Sequence, residues 1–139
     1  MASLCMTSLG SASMKQRILV VDDDLQFRKF LGRWLEIEGH EVVLAEGLEE
    51  GFLRITAEPL PDIVFLDLHL ATNNGLTLIH WARRQEYLAH IPIVAVTGDA
   101  SIRGKKSVWD AGCDACLIKP VDFDALRELL ATLRVHSIS

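Results

Sequence analysis

The chain has 139 residues, half of them hydrophobic, and a formal net charge of -5. That length suits one domain with one core, so a second folded domain and with it an output domain are not expected. The acidic balance argues against nucleic acid as a direct partner, since binding to phosphate backbones relies on clustered Lys and Arg. The nearest cluster, Arg103, Lys105 and Lys106, reads first as a solvated helix face and otherwise as a docking surface for an acidic partner. No apolar run approaches the roughly 18 residues of a membrane span, so no membrane contact and a cytoplasmic location are expected.

Residues 1–14 are rich in Ser and small side chains, with no positive charge before Lys15 and apolar content too broken for a signal peptide. A disordered N-terminal extension is expected over 1–14, a folded domain over 15–136 and a short tail over 137–139. The domain opens on Ile18-Leu19-Val20-Val21, a short uninterrupted run of the kind buried on both faces of a parallel sheet, and this run ends in Asp22-Asp23-Asp24. Phe27, Phe30, Leu31, Trp34 and Leu35 follow at i, i+3, i+4, i+7 and i+8, which predicts a first helix, capped by Asp24, with all five on one face. Val42-Val43-Leu44-Ala45 predicts a second strand, and Leu48, Phe52 and Ile55 a second helix. Ile63-Val64-Phe65-Leu66 predicts a third strand ending at Asp67, and Gly75 opens a third helix marked by Leu76, Ile79 and Ala82. Ile93-Val94-Ala95-Val96 ends at Thr97, and Ile102 to Ala111 gives a weaker fourth helix interrupted by Gly104. Cys116-Leu117-Ile118 ends at Lys119, and Phe123, Leu126, Leu130 and Leu133 mark a fifth helix after Asp122. Five βα units joined by right-handed crossovers predict an α/β fold, a doubly wound, five-stranded parallel sheet of order 2-1-3-4-5 with five helices over its two faces.

In such sheets ligands bind beyond the carboxyl ends of the strands, so Asp22, Asp23, Asp67, Thr97 and Lys119 are predicted to converge. Three crowded carboxylates raise one another's pKa unless a cation sits among them, and oxygen-only ligands point to magnesium. Asp67 could then attack phosphorus, with Lys119 and the hydroxyl or backbone of Thr97 and Gly98 neutralising the transferring oxygens. Asp is also favoured at helix caps and turns, and Asp24 reads as only a cap. For Asp22, Asp23 and Asp67 that plainer explanation leaves three carboxylates crowded without purpose.

Ile18-Leu19-Val20-Val21-Asp22-Asp23-Asp24, Asp67-Leu68-His69-Leu70 with Gly75 eight residues after the aspartate, Val96-Thr97-Gly98 and Ile118-Lys119-Pro120 resemble, in order and spacing, the receiver domains of bacterial response regulators. The resemblance covers about Arg17 to Val135 and carries the flavodoxin-like form of the fold. It implies a signalling phosphoacceptor, catalysing only its own phosphorylation and dephosphorylation. In that family Asp67 would take phosphate from a histidine kinase or histidine phosphotransfer protein. Asp23 would ligate magnesium directly and Asp22 mainly through water, with Asp67 and the His69 backbone carbonyl completing the set. Thr97 and Lys119 would bind the phosphoryl group, and the Lys119-Pro120 bond would be cis. The output protein is left unknown, and a phosphorylation-dependent dimer through the last two helices is left open.

Several residues depart from the family pattern. Cys116 stands where many receivers carry an aromatic switch residue, so the loop after the fourth strand is expected to report phosphorylation instead. Ala71 replaces the usual proline, and Asn73-Asn74-Gly75 follows it. His69 and Asp99 occupy positions from which side chains tune loss of the phosphoryl group; solvent-facing His69 is the plainer alternative. Cys113-Asp114-Ala115-Cys116 is a C-x-x-C, but a pair spanning a helix-to-strand turn lacks the helix N-terminus that redox thiols use, and with Cys5 the cysteines read as free thiols. His40, His80, His90 and His136 show no ligand spacing, and Trp34, Trp81 and Trp109 read as packing residues. Two other classes stay open: a metal-dependent phosphohydrolase, which turnover of small phosphoesters would reveal, and a phosphate-independent binding module, which an indifferent Asp67→Ala would reveal.

Overall fold

The structure is a computed structural model that describes residues 15–69 and 75–138, with side chains to 133. The expectations for residues 1–14, for Cys5, for Ala71, Asn73 and Asn74, and for the side chain of His136 lie outside the described residues. Elements alternate along the chain: β1 (Arg17–Val21), α1 (Leu25–Ile37), β2 (Glu41–Ala45), α2 (Leu48–Ile55), β3 (Ile63–Asp67), α3 (Leu76–Arg83), β4 (Ile93–Thr97), a 3-10 turn (Ala100–Gly104), α4 (Lys106–Asp110), β5 (Ala115–Ile118) and α5 (Phe123–Ile138). The five strands form one parallel sheet in the order β2-β1-β3-β4-β5.

The uninterrupted apolar strands follow from burial on both faces. Leu19, Val21, Val64, Leu66, Ile93 and Ala95 point into a core closed by α2, α3 and α4, through Leu48, Ile55, Leu78, Ile79, Ala82 and Val108. The alternate residues Ile18, Val20, Ile63, Phe65, Val94 and Val96 point into a second core closed by Leu31 and Leu35 of α1 and Leu126, Leu130 and Leu133 of α5. Covering both faces with helices leaves the carboxyl ends of the central strands as the place where polar residues can gather.

Two elements differ from the sequence expectation. The buried side of α1 is Arg28, Leu31, Gly32 and Leu35, while Phe30 is 62% exposed and packs edge-on against Phe123 at 5.3 Å. The helix is rolled because Gly32 lets Leu44 approach, with 3.2 Å from Leu44 Cδ2 to the place a Cβ would occupy, and because Arg28 finds an acceptor inside. The fourth helical segment is two pieces: Lys105 takes an extended backbone (φ -88, ψ 117) between the 3-10 turn and α4.

Arg83 ties the far end of the sheet together. Its guanidinium donates to the carbonyls of Gly112 (2.8 Å), Ala89 (3.0 Å) and Ile91 (2.8 Å) and to Asp114 Oδ2 (2.7 Å), which also accepts the Ile93 amide at 2.8 Å. Gly112 has φ +109, and a Cβ there would stand 2.8 Å from Arg83 Cγ, so both backbone conformation and space select glycine. Among the described residues no helix is long and apolar enough to cross a membrane.

Candidate functional site

Asp22, Asp67 and Thr97 are 1%, 5% and 0% exposed, which is unusual for such side chains and places them at the carboxyl ends of β1, β3 and β4. Asp23 next to Asp22 is exposed. Asp24 caps α1, accepting the amides of Gln26 (3.0 Å) and Phe27 (3.4 Å), so the chain turns sharply after β1 and leaves Asp22 and Asp23 facing the strand ends. Asp22 Oδ1 accepts the Asp24 amide at 2.9 Å, and its carbonyl accepts Arg28 Nη1 at 2.7 Å.

Asp67 Oδ1 accepts the His69 amide at 2.9 Å. The Lys119 ammonium stands 2.9 Å from Asp22 Oδ2 and 3.9 Å from Asp67 Oδ2. Although the first contact is short, its direction does not make a hydrogen bond, and among the described residues the buried Asp22 Oδ2 has no partner of proper geometry. The Lys119 amide donates to the Thr97 carbonyl at 2.8 Å, which fixes its backbone beside β4. The Lys119-Pro120 bond is cis. Glu58-Pro59 is also cis.

Burial pushes the Asp67 carboxyl above its usual range, and the negative charges of Asp22 and Asp23 push the same way; the His69 amide and Lys119 pull it down. Oxygens of Asp22, Asp23 and Asp67 lie within 4.8 Å of one another. An all-oxygen donor set with one orphaned buried oxygen and one carboxyl already pushed toward protonation fits a hard divalent cation.

The approach of α3 is made by Gly75. Its amide donates to the Leu68 carbonyl at 3.2 Å, and a Cβ there would lie 2.6 Å from the Asp67 carbonyl oxygen. The Thr97 hydroxyl oxygen accepts the Asp99 amide at 3.1 Å, leaving its proton available to another acceptor. Gly98 is exposed beside it, with open space around the position of a Cβ.

Of the other residues singled out in the sequence, His69 is exposed. Asp99 caps the 3-10 turn, accepting Ser101 N at 3.0 Å and Ser101 Oγ at 2.6 Å; those bonds hold its carboxyl below the usual range. Cys116 is buried in the first core, and its carbonyl accepts Arg103 Nη2 at 3.1 Å. Burial pushes the Cys113 thiol up to about 11 and raises Cys116 as well, the opposite of the lowered pKa of a reactive thiol. Two contacts gave no sequence signal: the Arg28 bond to the Asp22 carbonyl, and the Phe27 ring, whose centroid lies 4.2 Å from the Lys119 ammonium.

The family model described as the response regulator receiver domain matches residues 18–131. The chain belongs to the response regulator receiver family. It is the receiver domain of a two-component response regulator. It is 30% identical over 109 residues to the polar-differentiation response regulator DivK of Brucella ovis, covering 78% of this chain and 87% of DivK. It is 34% identical over 119 residues to the DNA-binding dual master transcriptional regulator RpaA of Synechocystis, covering 85% of this chain. There the receiver spans only about half of the relative's length, 47%. Among solved structures, a response regulator receiver protein from Pseudomonas putida superimposes with a TM-score of 0.77 at 32% identity, covering 85% of this chain and 97% of that one. A two-component response regulator from Clostridium difficile gives 0.80 at 26% identity, over 90% of this chain and all of that one (100%).

Proposed function

We propose that this receiver takes a phosphoryl group onto the Asp67 carboxylate from a phosphohistidine, carried by a histidine kinase or a histidine phosphotransfer protein, and thereby changes its affinity for an output protein. The observation that carries this is the convergence of Asp22, Asp23 and Asp67 with the Lys119 ammonium at one sheet edge. A carboxylate oxygen of Asp67 forms the new O–P bond, the P–N bond to the donor imidazole breaks, and its electron pair leaves with the imidazole. Asp22, Asp23, Asp67 and the His69 backbone carbonyl would hold a magnesium ion, which when bound neutralises charge on the phosphoryl oxygens. Lys119 pairs with a second oxygen, and the Thr97 hydroxyl and the Gly98 backbone bind the rest.

Catalysis in this account is confined to the protein's own phosphorylation and dephosphorylation, with His69 and Asp99 tuning the latter from beside the acceptor. The folded unit is 15–136, and it acts in the cytoplasm. The conformational response runs through Thr97 into the 3-10 turn, because a buried thiol at Cys116 has no ring to swing; the Arg103 bond to the Cys116 carbonyl links that turn to β5.

Intact mass after incubation with acetyl phosphate, with and without magnesium, tests the proposal. A magnesium-dependent phosphoryl adduct on the parent, absent from Asp67→Asn, is the expected result. No adduct despite measurable magnesium binding overturns it in favour of a phosphate-independent module.

A further inference from the structure

Among the described residues three contacts hold the Lys119 ammonium, and two of them are poor. Asp22 Oδ2, at 2.9 Å, lies off the direction a hydrogen bond requires. Asp67 Oδ2, at 3.9 Å, is beyond hydrogen-bond reach. The third is the face of Phe27, with the ring centroid 4.2 Å from the nitrogen, well inside the distance at which an aromatic quadrupole attracts a cation. The backbone of Phe27 is tied down at this point. It lies in the first turn of α1, its amide bonded to the Asp24 cap, and its neighbour Arg28 ties the same turn to the Asp22 carbonyl.

A lysine is a point charge on four flexible methylenes, and holding it in one place costs rotamer entropy. An aromatic face can hold it without supplying an oxygen that would compete with an incoming phosphoryl group. We infer that Phe27 is a positioning residue for phosphoryl transfer, its ring keeping the Lys119 ammonium beside Asp67. This rests on the proposal that Asp67 accepts the phosphoryl group.

The test compares the parent with Phe27→Leu, which keeps an apolar side chain but removes the π face, and with Phe27→Tyr, which keeps the face. In NMR spectra, with the Lys119 signals assigned through Lys119→Arg, the ε-methylene protons are expected upfield in the parent and in Phe27→Tyr. They return to ordinary positions in Phe27→Leu. The rate of adduct formation from acetyl phosphate, followed by intact mass, falls about five-fold in Phe27→Leu and recovers in Phe27→Tyr. Lys119 protons at ordinary positions in the parent overturn the inference. So does a Phe27→Leu protein that is phosphorylated at the parent rate, which leaves the role of Asp67 intact. A parent that forms no adduct removes both.

Discussion

Replacing Asp67 with Asn should stabilise the fold while abolishing phosphorylation. Asp22 and Asp67 oxygens lie no more than 4.8 Å apart, which at an effective dielectric of about 20 is a repulsion of about 3.5 kcal/mol. Asp23 is exposed and screened, adding about 1 kcal/mol, whereas Lys119 at 3.9 Å returns about 4 kcal/mol. These charges nearly balance, so the burial penalty on the Asp67 carboxylate decides the sign. The Asn variant keeps an acceptor for the His69 amide but carries no charge, and a gain of about 2 kcal/mol, or roughly 8 °C in Tm, is expected at pH 7 in EDTA. Urea titration of both proteins measures it. Because the Asp67 carboxyl titrates above its unfolded value, the parent's penalty is present above the folded pKa and fades as pH falls through it. The two curves should therefore converge toward pH 4. Saturating magnesium should stabilise the parent more than the variant and close the gap. An Asn variant less stable than the parent in EDTA at pH 7 would refute the account of the cluster.

Gly75→Ala should lose about 2 kcal/mol in urea titration, since Gly75 already has helical angles (φ -58, ψ -22) and only the 2.6 Å approach to the Asp67 carbonyl penalises a methyl group. Its phosphorylation by acetyl phosphate should slow as that carbonyl shifts; a protein as stable as the parent would contradict the close approach. Arg83→Ala should cost about 3 kcal/mol by the same titration, because one partly buried guanidinium serves three carbonyls and Asp114, and should leave the phosphorylation rate unchanged; a loss under about 1 kcal/mol counts against the clamp.

The sheet and the residues at its edge were legible because both rest on local signals. A parallel strand buried on both faces is a continuous apolar run, and the polar residue that ends it marks the carboxyl edge. The roll of α1 was not legible. Apolar spacing put Phe30 inside and said nothing for Arg28, whose burial depends on the Asp22 carbonyl, an acceptor that exists only once the turn after β1 has formed. Phe27 fitted the apolar stripe, and periodicity does not distinguish a ring packed on leucines from one lying over an ammonium. Gly104 announced the break in the fourth helix, but not the extended backbone at Lys105. The Arg83 clamp joins residues up to 31 apart and has no local pattern at all.

The bond from Arg103 to the Cys116 carbonyl also bears on how the molecule stays apart from its copies. β5 is an outer strand of the sheet, and the Lys119 amide bonds inward to Thr97. Since backbone groups alternate sides along a strand, the Cys116 carbonyl faces outward, where an edge would otherwise template another chain. A guanidinium already occupies that carbonyl. An incoming strand must displace a charged arginine before it can pair there, so the rim of the sheet is guarded by the segment that follows β4.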